Sequence, residues 1–122
     1  MLGVVVPARD EEVRIGACPE SIGIAARSPR LNGEQELIVV ALDACGDRTE
    51  LIARRWGAAL VPVNVRNVGI ARAHGARHAL NASARWLAFT DADSVVGPDW
   101  LSAQLEQRSD AVIEVRDWGD YN

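Results

Sequence analysis

Two stretches leave this chain little freedom in how it folds. Residues 2–6 (LGVVV) and 36–42 (ELIVVAL) are short, unbroken apolar runs rich in β-branched residues. A strand with one wet face alternates apolar and polar side chains, whereas an unbroken run needs cover on both faces, as in the middle of a parallel sheet. Parallel neighbours in turn need a crossover between them, usually a helix. The intervening residues have that character. Pro19 fits the first turn of a helix covering Glu20 to Arg27, and Ser28 to Glu34 (SPRLNGE) is a turn cluster. Asp47, with Glu50 three residues on, is placed to cap a helix running to Trp56.

The alternation continues to the end of the chain. Ala58 to Val63 (AALVPV) reads as a third strand, which Pro62 places near an edge or at a strand end. Asn67 to Ser83 is an Ala-rich helix. Its stripe of Val68, Ala71, Gly75, His78 and Ala79 predicts a close approach to the sheet. Arg85 to Thr90 is a fourth strand, Pro98 to Gln107 a short helix with Trp100, Leu101 and Leu105 inward, and Ala111 to Val115 a fifth strand. The expectation is a single α/β domain over residues 1–122: a doubly wound, mainly parallel sheet with helices on both faces.

Acids stand where such a sheet binds ligands, at the C-terminal ends of its strands. Asp43 ends the second strand, and Asp91 and Asp93 follow the fourth. Residues two apart on an extended strand point to one side, so Asp91 and Asp93 are spaced to converge on one hard cation, Mg²⁺ or Mn²⁺. An Asp-x-Asp after a strand is also an ordinary turn with a capping acid, so only its context gives it weight. No G-x-G-x-x-G follows the first strand, which leaves a dinucleotide fingerprint unsupported. His74 and His78, four apart on a helix, could grip a metal from one face but have no third ligand in a recognisable pattern.

Composition removes further options. All 13 basic residues are arginine, so no mechanism that needs a lysine is open to this chain. The net charge of −4 offers no footprint for nucleic acid or an anionic membrane. Cys18 and Cys45 are too few for a disulfide framework and are read as free thiols in a reducing cytoplasm. The N-terminal apolar run ends within seven residues, as a strand does, and is too short for a signal peptide or membrane span.

Four segments together resemble a known family. VVVPARDEE at 4–12, VALDACGDRT at 40–49, NVGIARAHG at 67–75 and FTDADSVVGPDWL at 89–101 occur in the order and spacing of family-2 glycosyltransferases, which have the GT-A fold. The resemblance implies a nucleotide diphosphate sugar as donor, with Mn²⁺ or Mg²⁺ as cofactor. It implies that Pro7, Ala8 and Glu11 line the nucleoside pocket and that Asp43 accepts a hydrogen bond from the base. Arg72 matches an arginine near the phosphates. Asp91 and Asp93 match the DxD motif, with Asp93 the direct metal ligand and Asp91 nearer the ribose.

The resemblance has two departures. Leu42-Asp43-Ala44-Cys45 stands where the family usually has Asp-Asp-Gly-Ser. The family's acceptor-binding half, with its catalytic base, has no counterpart before Asn122. The sequence therefore resembles a donor-binding half, with catalytic residues unknown. Trp100, Ile113 and Trp118 are expected to leave apolar surface for self-association or a separate acceptor subunit. Two other readings stay open. One is a non-catalytic nucleotide-sugar-binding or regulatory module. The other is a haloacid-dehalogenase-like phosphotransferase with Asp91 as nucleophile and Asp93 as acid/base, for which the required lysine is missing.

Overall fold

The structure, a computed structural model, describes residues 1–10 and 15–107. Glu11 and the expected fifth strand at 111–115, together with Ile113 and Trp118, lie outside the described residues. Four strands form one all-parallel sheet: β1 (Leu2–Ala8), β2 (Glu36–Asp43), β3 (Ala59–Val63) and β4 (Trp86–Phe89), in the order β3-β2-β1-β4. Four helices connect or flank them: α1 (Ala17–Ala26), α2 (Thr49–Arg55), α3 (Val68–Asn81) and α4 (Trp100–Glu106).

The apolar runs fall in the middle of the sheet, as their patterning requires. Every residue of β1 is buried, and β2 is buried from Ile38 to Asp43. Alternate β1 residues serve opposite layers. Leu2, Val4, Val6 and Ala8 pack with Ile15, Cys18 and Ile22 of the α1 region and Leu101 of α4, whereas Val5 joins Val39, Ala79 and Ala84 beneath α3. β3 is the weaker edge strand expected from Pro62, which is exposed there.

Topology explains which helix covers which face. The steps from β1 to β2 to β3 run one way along the sheet, and the step from β3 to β4 passes back across β1. With right-handed crossovers, reversing direction puts the next helix on the opposite face. The core layers follow this rule, with α3 opposite α1.

α3 lies very close to the sheet. A Cβ added at Gly75 would come within 2.6 Å of Val5 Cγ1. The expected small-residue stripe is therefore real at Ala71, Gly75 and Ala79, which are buried. His78 departs from it: it is exposed, and Arg72 is buried instead. The buried residues span an arc of about 100° on the helix, from Ala71 to Arg72, and His78 falls just outside it on the Ala71 side. The helix boundaries also shift by a few residues. α1 starts at Ala17, so Pro19 lies in its first turn, and Asp47 stands one residue before the α2 N-cap Arg48. Asp47 still serves that turn by accepting the Thr49 N–H at 2.9 Å.

Candidate functional site

The reversal of strand order lies between β1 and β4, and open α/β sheets bind ligands beyond the C-terminal strand ends at such a point. A proline stands at this one. The β1–β4 register ends at Val5–Phe89, with one further bond from the Thr90 N–H to the Val5 carbonyl at 3.2 Å. Along a strand the backbone donors alternate sides, so Pro7 would direct its missing N–H towards β4 as Val5 does. Proline is tolerated in this central strand because the ladder on that side has already ended, and β1 and β4 separate there. Pro7 and Ala8 continue β1 past this point, paired with Ala41 and Leu42 of β2.

Asp43, at the end of β2, is 4% exposed. Its Oδ1 accepts the backbone N–H groups of Val65 at 2.9 Å and Arg66 at 2.8 Å, and its Oδ2 accepts that of Asn67 at 2.9 Å. Burial alone would raise its pKa. The three N–H donors and the nearby Arg9 outweigh that effect and hold the carboxyl below the usual carboxylate range. Asp43 thus ties the loop after β3 to the end of β2. The β1 and β2 loops are tied in the same way: the Asp10 carboxylate accepts the Gly46 N–H at 2.8 Å, and the Cys45 thiol donates to the Ala8 carbonyl at 3.4 Å. Asp10, Ala44 and Arg66, one residue in each of these loops, have left-handed backbones with φ of 52°, 53° and 48°. Strained conformations of this kind persist where surrounding bonds hold them, and they gather at functional sites.

On the other side of β1, Asp91 and Asp93 follow β4. Asp91 is 18% exposed, and its Oδ1 accepts a hydrogen bond at 3.1 Å from Nη2 of Arg72, a side chain only 2% exposed. Asp93 is exposed. The acidic loop is held from below by α1. The Cys18 thiol donates to the Asp91 carbonyl at 3.3 Å, and Ser21 Oγ accepts the Val96 N–H at 3.1 Å while donating to the Cys18 carbonyl at 2.8 Å. Burial, then the charges of Asp91 and Asp93, push the Cys18 thiol up to about 12. It is a neutral donor, not a nucleophile.

The parallel sheet therefore brings Pro7, Ala8, Asp43, Asp91 and Asp93 to one edge, with Arg72 immediately behind Asp91. Glu11 is outside the described residues. His74 and His78 are exposed on α3, and among the described residues no group of three or more His, Cys, Asp or Glu side chains is arranged to hold a metal. The donor set at Asp91 and Asp93 suits a different kind of site. Mg²⁺ and related hard ions are commonly held by one or two carboxylates plus the substrate's own phosphates, not by a cage made wholly of protein. Sequence reasoning missed Asp10, Cys18 and Ser21 as supports of this edge. Their partners lie 36 to 75 residues away in sequence, and no local pattern marks them. Among the described residues no helix is long and apolar enough to cross a membrane.

Comparison with known proteins gives the same direction. Residues 3–113 match the family described as Glycosyl transferase family 2. A search of the curated proteins finds no match. Among solved structures, Staphylococcus aureus TarS 1–349 in complex with UDP superposes with a TM-score of 0.71 at 19% identity, over 86% of this chain and 31% of TarS 1–349. Mycobacterium tuberculosis glucosyl-3-phosphoglycerate synthase superposes with a TM-score of 0.56 at 28% identity, over 86% of this chain and 40% of the synthase. The same synthase in complex with Mn²⁺, UDP and glucosyl-3-phosphoglycerate gives 0.55 at 26% identity, over 86% and 39%. The chain thus spans about a third of the length of the structures it resembles.

Proposed function

The chain belongs to glycosyl transferase family 2, and from that premise we propose that its C-terminal sheet edge binds a nucleoside diphosphate sugar together with Mn²⁺ or Mg²⁺. The bound sugar would serve transfer to an acceptor hydroxyl. The observation that carries this reading is the placement of the acids. Asp43 stands at the end of β2 on one side of β1, and Asp91 and Asp93 follow β4 on the other, where the β1–β4 pairing has already ended before Pro7.

Each residue has a role that its surroundings support. Pro7 and Ala8 line the nucleoside side of the site. Three of the about four acceptor positions of the Asp43 carboxylate are taken by the 65–67 loop, which leaves one for a nucleobase N–H. Asp91, held by Arg72, faces the ribose and metal side, and the exposed Asp93 is the more direct metal ligand. Glu11 is assigned to the nucleoside side by its position in the motif. A divalent ion at Asp91 and Asp93, when bound, would offset the negative charge that grows on the diphosphate as the bond to the sugar breaks. Arg72 adds a fixed positive charge behind the same loop and holds Asp91 in one orientation before the donor arrives. The uridine nucleotides in the TarS and synthase structures make a uridine diphosphate sugar the first donor to test.

Titration calorimetry of UDP, GDP and ADP, with and without Mn²⁺, tests the proposal. Expected are a preference for UDP or GDP, tightening on addition of Mn²⁺, and loss of that tightening in Asp93→Ala. Binding unaffected by the cation in the wild-type chain would reject the metal assignment.

A further inference from the structure

We infer that Asp43 is a positioning residue for the acidic loop on the far side of β1, acting through α3 and Arg72. This rests on the donor-site reading above and extends it, because in that reading Asp43 only meets the base. The bonds form a continuous path. Asp43 accepts the N–H groups of Val65, Arg66 and Asn67, the last three residues before α3. Asn67 is the N-cap of that helix, and its Oδ1 accepts the Ile70 N–H at 3.0 Å. Arg72 follows on the buried side of the same helix, and its Nη2 meets Asp91 Oδ1 at 3.1 Å.

The helix depends on this anchor for its position. The α3 residues buried against the sheet include Ala71, Gly75 and Ala79, and these set how near the helix lies. Its N-terminal end is fixed by the charge-assisted bonds at Asp43, which are stronger than bonds between neutral groups. Arg66 holds its left-handed backbone with its N–H on Asp43 Oδ1, so losing the carboxylate also removes what offsets that strain. A loop that relaxes there moves Asn67, the first turn of α3 and the reach of Arg72 towards Asp91.

The experiment uses probes that have no nucleobase. Mn²⁺-pyrophosphate is titrated into the wild-type chain, Asp43→Asn, Asn67→Ala and Arg72→Ala, and into the two double variants that contain Arg72→Ala. In parallel, spectra of ¹⁵N-arginine-labelled protein without ligand follow the Arg72 guanidinium. Loss of an outer support typically weakens a metal site ~10–100-fold. Asp43→Asn should weaken Mn²⁺-pyrophosphate ~10-fold, Asn67→Ala less, and neither should add to the loss in the Arg72→Ala background. Both should move the Arg72 guanidinium signals towards those of a free arginine. A base contact alone leaves pyrophosphate affinity and the Arg72 signals unchanged, and that result overturns the inference, as does full additivity with Arg72→Ala. If the wild-type chain binds no Mn²⁺-pyrophosphate, the donor-site reading fails, and the guanidinium signals still decide this one. If Asp43→Asn does not fold, Asn67→Ala decides it.

Discussion

Gly75→Ala is the smallest change that should disturb both the fold and the site. The new Cβ would lie 2.6 Å from Val5 Cγ1, whereas carbon atoms settle at about 3.5–4.0 Å. Val5 is fully buried on the central strand and β-branched, so it has no easy rotamer to retreat to. The helix must therefore lift by about 1 Å, the difference between those separations. Overpacking of this kind costs about 1–3 kcal/mol, and replacing a helical glycine by alanine returns up to about 1 kcal/mol. With the full return, the expected net loss is up to about 2 kcal/mol, read by urea denaturation. Arg72 lies three residues earlier on the same buried face, so the lift should also stretch its bond to Asp91 and weaken Mn²⁺-dependent UDP binding. Val5→Ala in the same background removes the clashing carbon, and the pair should be non-additive by about 0.5–3 kcal/mol. A Gly75→Ala chain as stable as wild type, with strictly additive effects in the double variant, would refute the close-packing account.

Three other perturbations test separate parts of the structure. Ala44→Gly should stabilise the fold by about 0.5–1 kcal/mol in thermal or urea unfolding, because Ala44 holds φ of 53° and glycine reaches that region without a Cβ clash. The Cys18 thiol should resist iodoacetamide in the native chain at neutral pH. Its pKa is raised on folding, so the stability it contributes is present below its ordinary value of 9.0 and declines as pH rises towards about 12. Cys18→Ala should flatten that alkaline limb in unfolding curves. Glu34 has the opposite sign. Hydrogen bonds from Arg85 lower it to about 2, so its contribution is present above its ordinary 4.5 and lost as pH falls towards 2. Arg85→Ala should raise the Glu34 titration midpoint observed by carboxyl NMR.

The sheet was legible in the sequence because burial on both faces has a plain signature. LGVVV and ELIVVAL cannot alternate, and Pro62 marks an edge or a strand end, of which the structure shows the edge. The same logic put Asp43, Asp91 and Asp93 at one edge once the strands were parallel. The supporting bonds were hidden for a physical reason. An acid that caps its own turn looks the same in sequence as one that collects N–H groups from a loop 22 to 24 residues on, as Asp43 does. Arg72 was marked by the resemblance as an arginine near the phosphates, and only the helix's contact with the sheet shows that it is buried against Asp91. His78 was misread into the sheet face because periodicity gives a direction but not the depth that the facing strand allows. Serine and cysteine in α1 gave no signal for the loop they hold, since their partners come from the far side of the sheet order.

The most direct test of the central claim is where a paramagnetic ion binds. ¹H–¹⁵N spectra of the chain with UDP are recorded with Mg²⁺ and then with trace Mn²⁺, whose unpaired electrons broaden nearby amide signals. The donor-site account predicts selective loss of the Asp91 to Ser94 signals, then of those near Ala8, in the presence of UDP. Asp93→Ala should abolish the effect. Broadening centred on His74 and His78, or none in the acidic loop at saturating UDP, would contradict the account.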